Sequence, residues 1–149
     1  IGGTSADMGN AVFVAAMLEL PTMAFFTKMS EKINCGTLIK FSILMFVVKH
    51  ALTYFATNMI MIYLAQVCQM FAYALFVPAS VYYVNEKIAV ADRVKGQSLV
   101  TTSMTLSGVF ANFAGGIMLD ALGVGHVLLA GVILSIVGAV IVILTTEKV

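Results

Sequence analysis

The chain has 149 residues, of which 61% are apolar and only 10% charged, and its eight basic and seven acidic side chains leave a formal net charge of +1. A soluble domain carries about 25% charged residues because its surface faces water, and a water-exposed surface this apolar would aggregate. Most of the surface must therefore face lipid, and with no basic run to follow a phosphate backbone a nucleic-acid partner is excluded.

Apolar runs close to the length needed to cross a bilayer predict an all-α, polytopic membrane protein with spans at 10–27, 38–56, 59–84, 98–119 and 124–144. The connections are short and polar, so successive helices are expected to be antiparallel neighbours in one transmembrane domain covering 1–149, with no second domain. Ile1 is not an initiator and no charged segment precedes an apolar run, so no signal peptide is read and the chain is taken as truncated. Basic residues divide sharply between the two sides. Lys28, Lys32, Lys40, Lys87, Arg93, Lys95 and Lys148 fall on one side and none on the other, with Lys49 left inside a span. The basic side is expected to be cytoplasmic, which puts the N-terminus outside and the C-terminus inside.

The first predicted span holds Glu19, and the second holds Lys49. An ionised group near the bilayer centre costs roughly 2.5–3.5 kcal/mol on insertion scales and survives where it is paired or faces a polar cavity. Glu19 lies nine residues before Lys28, and Lys49 eleven after Leu38. At 1.5 Å per residue these are depths of roughly 13 and 16 Å, so a Glu19–Lys49 pair near the midplane is expected. It would either fix helix register or mark a substrate or proton path, and the second reading is preferred. His50 lies about 100° round the helix from Lys49 and reads equally as a packed side chain or a proton relay.

The third span carries Tyr63, Gln66, Gln69 and Tyr73 along one side, a surface suited to hydroxyl-rich or heterocyclic ligands or to interhelical hydrogen bonds. Pro78 follows and removes one backbone hydrogen bond, a place for a kink. The fourth span has a polar stripe of Gln97, Thr101, Thr105, Gly108 and Asn112, with Asn112 the candidate to face a cavity. It also has a small stripe, Ser103, Ser107, Ala111 and Gly115, expected to pack closely on another helix. The fifth, with Gly131, Ser135 and Gly138 on an aliphatic background, is expected to be peripheral and lipid-facing, and His126 at its edge only interfacial. Cys35 falls in a predicted loop and Cys68 in a helix, with no metal or disulfide spacing. The sequence has no phosphate loop, zinc-protease motif or nucleophile–base constellation. No enzyme activity, metal or cofactor is expected, and the ten methionines read as packing residues.

Two stretches resemble major facilitator transporters. One is Leu18-Glu19-Leu20-Pro21 closing in Phe25-Phe26-Thr27-Lys28, similar to the eighth helix of that superfamily. The other is Asp92-Arg93-Val94-Lys95-Gly96-Gln97-Ser98 leading to Gly115-Gly116-Ile117-Met118-Leu119-Asp120-Ala121-Leu122-Gly123, similar to the loop before helix eleven and that helix's glycine-rich end. Order and loop lengths then match helices eight to twelve, the greater part of the C-terminal half, and the chain looks nearest to oligosaccharide–proton symporters of the lactose permease type. The resemblance implies a twelve-helix fold in two halves with solute bound between them. It assigns Glu19 to sugar contact and Lys49 to the place of an arginine. Gln69 and Ala72 stand where that family has the histidine and glutamate of proton coupling, and Lys32 and Gly36 are remnants of its basic loop signature.

The expected activity is secondary transport of a sugar- or nucleoside-like solute, coupled to protons, through Glu19, Lys49, Gln66, Gln69, Tyr73 and Asn112. The alternatives are a drug or sugar efflux antiporter, or a membrane scaffold or receptor that does not transport. The expected partners are solute, protons, the lipid of the plasma (inner) membrane, and a missing N-terminal half without which the chain would not transport.

Overall fold

The computed structural model describes residues 1–147, which form five long helices and no strand. They are α1 (Ser5–Ser30), α2 (Cys35–Tyr54), α3 (Met59–Lys87), α4 (Arg93–Leu122) and α5 (Val124–Thr145), with one 3-10 turn at Val90–Asp92. All five are long and apolar enough to cross a membrane.

Most of the helices run past the apolar stretches at one end or both, and side-chain caps fix the starts of α1 and α3. Thr4 and Asp7 form a reciprocal capping box, the Thr4 N–H donating to Asp7 Oδ2 at 2.8 Å and the Asp7 N–H to Thr4 Oγ1 at 3.3 Å. This starts α1 five residues before the apolar run predicted for it. Asn58 Oδ1 accepts the Met61 N–H at 3.1 Å and starts α3. α4 remains helical through Leu122, leaving Gly123 alone between it and α5. Gly123 has φ +80°, a conformation that glycine adopts without the steric cost of a Cβ. α1 and α3 stay helical across Pro21 and Pro78.

α3 is the centre of the bundle. Ala65, Ala72 and Ala79, spaced seven apart on one face, are all fully buried, as are Ala74 and Leu75. Small side chains at a seven-residue repeat let α1 and α2 approach α3 closely, which in lipid is the main source of helix association. The apolar cluster at the basic end joins Phe26 of α1, Leu38 and Ile39 of α2, and Leu75 and Ala79 of α3, with Met29, Phe76, Tyr83 and Val142 packed against it. Lys28, Lys32, Lys87, Arg93 and Lys95 all lie at this end, and Lys40 is a turn inside α2. Lys148 lies outside the described residues.

Two expectations need correction, for α4 and for Cys35. The small stripe of α4 does not pack closely on a described helix. Ser103, Ser107 and Ala111 are exposed and line an open cleft of about 900 Å³, facing Ile43, Phe46, His50, Tyr73 and Phe76 across it. α4 packs along α5 and meets α3 near its own start, where buried Gly96 lies against Val84 of α3 and Ile88 just beyond it; farther along, the cleft separates it from α2 and α3. α5 exposes most of its aliphatic surface, and Gly131, Ser135 and Gly138 line a cleft against Ile43, Phe46 and His50 of α2. Cys35, expected in a loop, is the first residue of α2 and is buried because the preceding turn folds it inward.

Candidate solute site

Glu19 on α1, Lys49 on α2 and Gln69 on α3 meet in the apolar part of the bundle, and each is half-buried. The expected direct Glu19–Lys49 pair is absent, and Gln69 stands between the two. Its Nε2 donates to Glu19 Oε1 at 3.1 Å, and its Oε1 accepts from Lys49 Nζ at 2.5 Å. The charges dictate which way this amide points. Turned over, it would aim its oxygen at a carboxylate and its N–H groups at an ammonium, leaving both ions without a partner. The cluster is thus a three-helix relay with a neutral, reversible group at its centre.

The physical reason for the bridge is the position of α3. The alanine face of that helix draws α1 and α2 onto it from two sides, and a side chain one turn along from buried Ala65 projects between them. Glutamine there spans a gap that Glu19 and Lys49 do not close directly. Separating two buried opposite charges by an amide keeps each hydrogen-bonded while both remain open to a competing ligand.

The other candidates lie apart from this relay. Gln66, one turn from Gln69, lines a cleft of about 540 Å³ toward the start of α1, with Met8, Val12, Met59 and Ile62. Tyr73 faces the cleft between α2, α3 and α4. Asn112 is exposed and donates to the Gly108 carbonyl at 2.8 Å, so its amide is satisfied by its own helix. The polar stripe of α4 behaves the same way: Thr105 donates to Thr101 O, while Gln97 ties α4 to α3 through Val81 O at 2.9 Å and Asn85 Oδ1 at 3.4 Å. Spacing of three and four placed these groups on faces but did not say which faces meet. His50 Nδ1 is hydrogen-bonded to Phe46 O at 2.8 Å and its ring stacks on Phe46, while His126 is tied to Leu122 O. The buried alanines of α3 were the signal that sequence reasoning passed over, and their seven-residue spacing would have identified α3 as the helix that gathers the site.

Five membrane-length helices, three of which bring together a half-buried acid, base and amide, define a polytopic membrane protein with a polar site in its apolar part, as in solute transporters. The family model of the Major Facilitator Superfamily matches residues 1–149, and the chain belongs to that superfamily of transporters. It is 32% identical over 113 residues to a putative sugar efflux transporter of Deinococcus radiodurans, a match that covers 73% of this chain and 29% of that protein. The chain thus spans less than a third of the length of this curated relative. No solved structure matches it.

Proposed function

We propose that the chain is part of a secondary transporter that binds a sugar- or nucleoside-like solute at Glu19, Gln69 and Lys49 and moves it by alternating access. The observation that carries this reading is the Gln69 amide held between Glu19 and Lys49. Gln69 uses one donor and one acceptor here, and a pair of solute hydroxyls can supply the same two. A polyol entering the site would donate to Glu19 and accept from Lys49, displacing the Gln69 contacts at little net cost. The resemblance to lactose-permease-type symporters supports a sugar-contacting role for Glu19, and the name of the Deinococcus relative supports a sugar as solute.

In this reading Glu19 takes and releases the coupling proton, and Lys49 holds the site together while Glu19 is neutral. Gln66 and Tyr73 extend the solute path toward the two ends of the bundle. The chain supplies part of the C-terminal half, and helices elsewhere in the transporter form the facing wall. Rocking of the two halves then exposes the site alternately to each side. The basic end faces the cytoplasm of the plasma (inner) membrane.

Efflux is the second reading, favoured by the relative named as a sugar efflux protein. Flux of radiolabelled sugars and nucleosides in vesicles containing the full-length transporter separates the two. With acid outside, symport accumulates solute, whereas antiport speeds its release from preloaded vesicles. Absence of saturable flux for every solute would favour a scaffold over a transporter.

A further inference from the structure

Gly36, the second residue of α2, is buried. A Cβ at this position would overlap the carbonyl oxygen of Glu147 and would stand 3.4 Å from Thr146 Cγ2. The backbone that follows α5 therefore lies directly on the first turn of α2. The Glu147 N–H donates to the Tyr83 hydroxyl at 3.3 Å, and its carboxylate pairs with Lys87 at the end of α3. Tyr83 in turn packs on the apolar cluster that joins α1, α2 and α3. Residues 146 and 147 thus occupy a slot walled by a glycine of α2 and by a tyrosine and a lysine of α3.

We propose that this slot is a releasable clasp, engaged in one conformation of the protein and open in another, which couples the end of α5 to the α2–α3 core. The slot is sterically specific, since any residue but glycine at position 36 would obstruct it. The hold is weak. Lys87 and Glu147 remain 37% and 72% exposed, and ion pairs in such settings contribute little and are screened by salt. The hydrogen bond from the Glu147 N–H to Tyr83 is at the long end of the normal range. A tight fit with a weak hold is what a reversible contact requires, and it stands independently of the solute transported.

The test uses the full-length protein with its other cysteines replaced and Thr146→Cys as reporter, treated with a soluble thiol reagent. At low salt the reporter should react slowly. Raising salt to about 1 M, or introducing Lys87→Gln, should speed the reaction roughly two- to fivefold, the range of an exposed ion pair. Lys87→Gln should also abolish the salt response. Gly36→Ala should give fast reaction at both salt levels, and if it fails to fold the Lys87→Gln comparison still decides. A slow rate indifferent to salt and to Lys87→Gln would mean that the segment is a fixed part of the wall. Rapid reaction under every condition would mean that the slot is empty. Either result overturns the proposal.

Discussion

Gln69 is the residue on which the site depends, because it alone touches both ions. Gln69→Leu removes two hydrogen bonds to charged groups and leaves Glu19 and Lys49 facing an alkyl group. A loss of about 2–4 kcal/mol is expected, measured as thermal stability of the full-length protein in detergent. Gln69→Glu and Gln69→Lys should also destabilise, since each places a like charge beside one partner. If Gln69→Leu were as stable as the parent, the bridge would carry no energy. A second residue-scale expectation concerns Glu147, whose carboxyl the hydrogen bond from Lys87 holds below the ordinary glutamate range. A depressed folded-state value means that the interaction is present above the ordinary range and is lost as pH falls through the depressed one. A carbon-13 carboxyl titration of Glu147 should therefore show a midpoint below that of ordinary glutamates, returning toward it in Lys87→Gln. The same midpoint in both proteins would remove the pairing from the account. At this scale the sequence showed which groups were costly in lipid, and depth arithmetic brought Glu19 and Lys49 level. It could not show the bridge, because the rotation of α3 about its own axis is set by packing rather than by spacing.

Among the elements, α3 is centred on its buried alanines, and α4 meets it at Gly96 while packing along α5. Gly96→Val would drive methyl groups into Val84 and Ile88, so overpacking should cost about 1–3 kcal/mol. Gly108→Ala meets nothing within 4 Å and should be neutral or slightly stabilising, since alanine is the better helix former. Equal effects in a detergent unfolding assay would contradict the placement of α4. All five helices were legible because each apolar run is close to membrane length. Their ends were less so: the capping box at Thr4 and Asp7 and the one-residue Gly123 turn carry local hydrogen bonds and backbone geometry that a hydropathy reading does not weigh, whereas the start of α3 at Met59 was read directly. The small stripe of α4 misled for a different reason. Serine and alanine at intervals of four permit close packing without specifying a partner, and here the facing helices stand across a cleft.

At the scale of the whole molecule, the basic residues gather at one end of the bundle, and the orientation proposed from them can be checked independently. An impermeant thiol reagent should modify Ala121→Cys in intact cells and spare Ala91→Cys, and the reverse would invert the topology. The major facilitator family was legible from short motifs plus topology, whereas the solute was not, since an acid, an amide and a base match the hydrogen-bonding groups of many hydroxylated molecules. The contact of residues 146 and 147 with Gly36 and the relay at Glu19, Gln69 and Lys49 lie at different levels of α2 and α3. The central claim is that the relay binds solute. Its most direct test is saturable flux of a radiolabelled sugar or nucleoside through the full-length transporter in vesicles, compared with the Glu19→Gln, Lys49→Gln double variant. The double change removes both charges and leaves no orphaned ion, so the variant should keep the parent's melting temperature and yet lose saturable flux. A well-folded double variant that transports like the parent would reduce the relay to a structural tie and contradict the account.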